Sequence, residues 1–337
     1  MPLQRALQFF YLRPNQVLPG VPGHFRPVLP VTAQAAVTGG QLVSFRAPDG
    51  VQLQGWWCPA NLTASEKTII LGHGYYSDIT TMIPLSKALE AAGWNVFLFD
   101  FRAHGQSQKG VTSMGFHEGK DIAGAVTTVI SGFPDQCRKL YYLGHSMGAA
   151  ALMLCPDSLK KYPRALRLIE DRLDGAILDS AYHELSITGN RFITQVAEYA
   201  PAHPVARRMW QPLQPRMATL VQQFAASSQH QAPQTLDLPY PLESLNTART
   251  FRRSRLSRKP VLFIHGLEDD FTPFTHAEAN LASLNEDKGS NATLVGLQAG
   301  HSHRSAWYPA LPNRSLDTIL RDDATYLRAL LDFLPHS

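Results

Sequence analysis

The chain has 337 residues, of which 44% are hydrophobic and 17% charged, and a formal net charge of +4 at pH 7. That length admits one large α/β domain carrying an insertion, or two modest domains. The mild charge, with no basic patch interleaved with aromatics, gives no reason to expect a nucleic-acid partner.

Residues 1–40 read as a proline-rich N-terminal extension. Leu3, Ala6, Leu7 and Phe10 could form one or two amphipathic turns, too short to span a bilayer, and Gln4 and Gln8 interrupt any signal-peptide core. Ala33-Gln34-Ala35 resembles a cleavage site, but prolines separate it from the apolar stretch. Export is therefore disfavoured, and attachment to a membrane surface through Leu7, Phe9, Phe10 and Leu12 is the weaker expectation. Cys58, Cys137 and Cys155 are odd in number and form neither CxxC nor metal-ligand spacing, which fits a reducing, cytoplasmic setting and no bound metal.

Residues 41–47 and 51–57 alternate apolar and polar around Pro48-Asp49-Gly50, a hairpin signature. Residues 68–71 form a short apolar strand that runs into Gly72-His73-Gly74-Tyr75. A helical pattern follows through Ile83, Leu85, Leu89 and Ala92, with Gly93 as its stop. The next buried strand, 95–99, delivers Asp100-Phe101-Arg102-Ala103-His104-Gly105-Gln106-Ser107 to its far end, and a helix over about 116–130 leads to a strand at 139–143. Residues 175–178, 261–264 and 293–295 read as further strands, and 316–333 as a closing helix. This alternation means parallel strands with right-handed crossovers and helices on both faces of one sheet, an α/β fold.

Between Ala181 and Pro260 the strand rhythm disappears into glutamines and prolines. A piece of that length is no ordinary connection. The expected organisation is a core over 41–181, an inserted cap over 182–259 and the rest of the core over 260–337. The arginine run from Arg249 to Arg258 reads as a solvated face in preference to a polyanion site.

Gly144-His145-Ser146-Met147-Gly148 joins an apolar strand to a helix of alanines, leucine and methionine. A serine at such a turn sits in a strained backbone, and the flanking glycines remove Cβ atoms that would collide as strand and helix close. Ser146 needs a base, because a hydroxyl is a poor nucleophile at neutral pH, and His301 after the last strand is the candidate, with His303 close enough to confuse the assignment. The imidazole needs a carboxylate to orient it. Asp269, after the strand at 261–264, is preferred to its rival Asp179, whose other role would be to accept hydrogen bonds at a helix start. The amides of Met147 and Tyr75 are the natural donors to an oxyanion. His73, His145, Arg102 and His104 read as supports of the surrounding loops.

Together, His73-Gly74-Tyr75, the 99–107 segment, Gly144 to Gly148, His265-Gly266 with Asp269 and Pro273, and Gly300-His301 resemble the α/β-hydrolase superfamily of serine hydrolases, in family order. The texture is similar to that of esterase, lipase and peptidase-like members with monoglyceride-lipase or dipeptidyl-peptidase-type cores. Ala103 stands where many relatives have glycine, and the glutamine-rich cap matches no recognised pattern. The resemblance implies an α/β-hydrolase fold, a triad of Ser146, Asp269 and His301, and an oxyanion hole at Tyr75 and Met147. The expected activity is cofactor-free hydrolysis of small carboxylic esters or thioesters through an acyl-enzyme. A peptidase or amidase, with Glu184 or Glu198 receiving a substrate amine, is the nearest rival; a non-catalytic binding protein of the same shell is the other.

Overall fold

The computed structural model describes residues 38–61, 65–75, 77–184, 245–269, 272–286, 289–298 and 324–335. Eight strands form one sheet in the order β1-β2-β4-β3-β5-β6-β7-β8. The hairpin is β1 (Gln41–Arg46) and β2 (Gln52–Cys58), paired antiparallel with Gln41 opposite Trp57 and Arg46 opposite Gln52. Its turn closes through Gly50, whose φ of 89° suits glycine. β2 is also antiparallel to β4 (Asn95–Phe99), and every later pairing is parallel: β4 with β3 (Lys67–Gly72), then β5 (Lys139–His145), β6 (Gly175–Asp179), β7 (Pro260–Gly266) and β8 (Asn291–Leu297).

The central strands are apolar throughout because both faces are covered. On one face Ile70, Phe97, Phe99, Leu140 and Tyr142 pack against α2 (Glu118–Gly132), α3 (Met147–Met153), α4 (Cys155–Ser158) and α5 (Pro163–Arg172). On the other, Ile69, Leu71, Val96, Leu98, Tyr141 and Leu143 meet Leu85 and Leu89 of α1 (Ile83–Ala91). Each such side chain taken out of water stabilises the fold by about 1.5–3 kcal/mol. The period-2 split of one strand between two clusters makes register strongly specified, since a slip by one residue exchanges the faces.

α6 (Thr247–Phe251) and α7 (Thr275–Asn285) add Ala248, Phe251 and Leu284 to the first cluster, and α8 (Ala324–Phe333) adds Tyr326 and Leu330 to the second. The expected closing helix is seen over α8; residues 316–323, like 1–37 and 185–244, lie outside the described residues. Residues 245–259, read from sequence as the end of the insertion, are packed onto the core. Their arginines form ion pairs: Arg252 with Glu286, Arg253 with Asp157, and Arg255 with Glu170 and Asp171. The run is thus largely committed to holding this segment against α4, α5 and α7. Where the insertion leaves and re-enters, Glu184 and Asn246 form an antiparallel bridge, and Asn246 Nδ2 lies 2.7 Å from His183 Nε2.

The three cysteines are free and buried, and burial pushes the Cys58 thiol up to about 12. Among the described residues no helix is long and apolar enough to cross a membrane, and no group of three or more metal-ligating side chains is found.

Candidate active site

β5 ends at His145 and α3 starts at Met147, so the chain must reverse within one residue. Ser146 takes φ 52° and ψ −112° to do it, a conformation costly for a residue with a Cβ. A Cβ on Gly144 would come within 2.5 Å of Ala149 N, and one on Gly148 within 2.5 Å of Gly72 O. Both glycines are therefore required by closeness of backbone, as expected from the spacing. Ser146 N–H donates to Asp179 O at 2.7 Å and the buried Tyr142 phenol donates to Gly148 O at 2.8 Å, so the turn is tied to β6 and to the strand that leads into it.

The loop after β3 lies against this turn. A Cβ on Gly74 would stand 3.5 Å from Ser146 Cβ and 2.9 Å from His145 Nδ1. Tyr75, next in the chain, is partly buried, its ring 5.9 Å from that of His104. Met147 is fully buried, its sulfur 3.6 Å from the Thr112 hydroxyl oxygen. The Thr112 hydroxyl donates to Glu118, whose buried carboxylate collects Ser113 N–H, Ser113 O–H and Gly115 N–H as well. Burial would raise that carboxyl, but the Arg102 charge and these donors hold it below the usual range.

His73 and His104 are buried and neutral. Nδ1 of His73 donates to Gly74 O at 2.7 Å, which leaves Nε2 to accept from Phe101 N–H at 3.1 Å. Burial, with His104 adjacent, lowers His73 to about 3, and burial lowers His104 to about 4. Neither is suited to exchange protons near neutrality, consistent with a supporting role. Arg102 ties loops together as expected, with Nη2 at 2.7 Å from Asp121 and Nη1 at 2.9 Å from Asp49.

The two carboxylates weighed from the sequence both sit at the carboxyl edge of the sheet, where ligands bind in open parallel sheets. Asp179 ends β6, in register with His145, and accepts from the Tyr326 phenol at 2.9 Å and from Ser180 Oγ at 3.2 Å. Asp269 follows β7. It accepts Thr272 N–H and Thr272 O–H, each at 2.7 Å, with His265 Nε2 at 3.3 Å from its second oxygen. Glu268, beside it, points to solvent. His301 and His303 lie outside the described residues. Sequence reading missed Glu118, Tyr326 and the carboxylate of Asp100. The burial of an acidic residue behind a loop leaves no periodic signal, although Asp100 belongs to the 99–107 segment.

An eight-stranded, mostly parallel sheet with a strained serine between β5 and α3 defines an α/β hydrolase. A family profile described as serine aminopeptidase, S33, matches residues 63–297, and the chain belongs to that family of hydrolases. Among curated proteins it is 28% identical to the uncharacterized protein YfhR of Escherichia coli, over 45% of this chain and 50% of that one. It is 33% identical to YqkD of Bacillus subtilis, over 28% and 32% of the two chains. The chain spans half or less of these relatives. Among solved structures, an esterase of Pyrococcus furiosus is similar with a TM-score of 0.63 and 22% identity, covering 92% of this chain and 96% of that one. An α/β hydrolase of Vibrio vulnificus is similar with a TM-score of 0.59 and 13% identity, covering 99% and 94%. At such identities the likeness is one of fold.

Proposed function

We propose that this hydrolase cleaves carboxylic esters or thioesters of modest size through an acyl-enzyme formed on Ser146. The observation that carries the reading is the backbone of Ser146 at φ 52°, held against Gly74 and followed directly by the start of α3. Ser146 Oγ attacks the acyl carbon while His301 takes its proton. The tetrahedral oxyanion is received by the amides of Met147 and Tyr75, and collapse expels the alcohol or thiol, which takes the proton from His301. Water then repeats the sequence on the acyl-serine and releases the acid. Asp269 orients His301 and stabilises its imidazolium. No cofactor is needed in this scheme, and the partner is a small acyl substrate in the cytoplasm.

A peptidase or amidase on the same machinery is the second reading, favoured by the serine aminopeptidase description of the matching family. Of the acidic residues considered for a substrate amine, Glu184 stands at the bridge to Asn246, and Glu198 lies outside the described residues. Turnover of p-nitrophenyl butyrate against an aminoacyl anilide separates the two. Ser146→Ala is expected to abolish both turnover and fluorophosphonate labelling. Undiminished turnover in that variant refutes the nucleophile, and a wild-type chain that reacts with neither substrate nor probe leaves only a hydrolase-like binding protein.

A further inference from the structure

The loop carrying Tyr75 is pinned at both ends by the segment after β4. At its start, Phe101 N–H donates to His73 Nε2 at 3.1 Å. At its far end, Ile79 N–H donates to Asp100 Oδ1 at 2.9 Å. The other oxygen of Asp100 takes Gln106 N–H at 2.8 Å, and the Asp100 carbonyl takes the Ser107 hydroxyl at 2.5 Å. Asp100 is buried, so this carboxylate faces protein and not solvent. Its cost is visible: burial, and then the neighbouring Asp78, push the carboxyl up to about 7, while the two backbone donors pull it down. A neutral side chain would be easier to bury, yet only a carboxylate offers two acceptor oxygens to two amides that face it from different loops.

We propose that Asp100 is a positioning residue for hydrolysis, clamping the 73–79 loop through Ile79 N–H and bracing it on Gln106 N–H, so that Tyr75 N–H meets the developing oxyanion. The role rests on the reading of Ser146 as nucleophile and Tyr75 as oxyanion donor. Asp100 touches no reacting atom. Its effect runs through the loop, and loop placement within a fraction of an ångström decides how well a donor serves a transition state.

The test is a steady-state comparison of the full chain with Asp100→Asn and Ile79→Pro, on p-nitrophenyl butyrate, with fluorophosphonate labelling rates in parallel. Asparagine must set its own N–H against one of the two amides. Proline removes the Ile79 donor where the backbone accepts it, since residue 79 opens a 3-10 turn after an extended Asp78 (φ −151°, ψ −176°); it also trims a side chain buried in the second cluster, so stability is read beside the kinetics. The expected result in both is a fall in kcat of about tenfold to a hundredfold, within the range for a weakened oxyanion donor, with KM changed by less than about twofold. Labelling by the fluorophosphonate, whose phosphoryl oxygen gains charge in the same donor site, should slow with kcat. An Ile79→Pro chain that stays folded and keeps its kcat overturns the role, whatever Asp100→Asn does. A wild-type chain with neither turnover nor labelling overturns the hydrolase reading instead, and the role with it.

Discussion

The phenol of Tyr326 donates to the carboxylate of Asp179 at 2.9 Å, joining the C-terminal helix to the strand end that also receives Ser146 N–H through the Asp179 carbonyl. Asp179 is fully buried, and its carboxylate is held by Ser180, just past β6, and by Tyr326 of α8 among others. It therefore has a structural reason to be an aspartate that does not involve proton transfer. Asp269, held by Thr272 on both oxygens, is the carboxylate proposed to orient His301.

Asp269→Asn should consequently lower kcat by about three to four orders of magnitude, the scale seen when a triad carboxylate becomes an amide. Tyr326→Phe should leave kcat within about threefold while lowering stability by about 1–3 kcal/mol, because it strips a buried carboxylate of a donor. Kinetics with p-nitrophenyl butyrate and urea melts decide. If Tyr326→Phe or Asp179→Asn causes the larger kinetic loss, the assignment passes to Asp179.

Close approach of backbone at the turn predicts a steep steric penalty. Gly148→Ala would put a methyl 2.5 Å from Gly72 O and 2.8 Å from His73 O, both backbone atoms that cannot swing aside. Moving them shifts the loop that bears Tyr75. The variant should lose at least about 1–3 kcal/mol from overpacking, together with most fluorophosphonate labelling. A chain of wild-type melting temperature with full labelling would show that α3 and the β3 loop can separate.

The strands were legible because a doubly covered parallel sheet writes itself as apolar runs. The 95–99 reading coincides with β4, and the 68–71 and 175–178 readings lie inside β3 and β6. Gly93, expected to stop a helix, does so with φ 84°. α5 and α7 were not read. α5 is short and half of its residues are charged, so its apolar stripe through Ala165, Leu166, Leu168 and Ile169 covers few turns, and α7 alternates small and polar residues with no clear stripe. α3 ends at Met153, and Pro156 sits in the first turn of α4, where its missing N–H costs nothing. Ser146 stood out from local spacing alone. Asp100 and Tyr326 act over 21 and 147 residues of chain, and pairing at such a distance is not encoded by any local pattern; the bonds of Glu118 are local but follow no helix or strand period.

Arg102 should be more important to stability than any surface ion pair. Its guanidinium and backbone N–H both engage Asp121, which is fully buried, while Asp49 on the hairpin turn closes the other side. Arg102→Met leaves the Asp121 charge without its partner and should cost about 3–5 kcal/mol. Asp49→Asn should cost about 1 kcal/mol or less, since that carboxylate is partly exposed and Asp121 still holds the arginine. Denaturation midpoints of the two variants in urea test the ranking, and equal losses would place the energy in the hairpin turn.

The buried groups around the oxyanion loop also set how stability depends on acid. His73 and His104 fall from 6.5 to about 3 and about 4, so below pH 6.5 the unfolded chain binds two protons that the folded chain refuses. Their stabilising contribution is whole above 6.5 and is lost as the pH drops toward those values. Asp100 works in the opposite sense: raised from 3.8 to about 7, its contribution is whole below 3.8 and is lost as the pH climbs through 7. Between about pH 4.5 and 6 the two histidines favour stability rising with pH and the aspartate opposes them, leaving a net difference of about one proton, or about 1.4 kcal/mol per pH unit from these groups. Asp100→Asn removes the opposing group and should steepen the acid loss by about that amount. His104→Asn, whose amide can still donate to Arg102 O as the imidazole does at 2.8 Å, should flatten it by a similar amount. Urea midpoints at three pH values across this window give the slopes, and three parallel lines would mean that these groups do not titrate differently in the folded and unfolded chains.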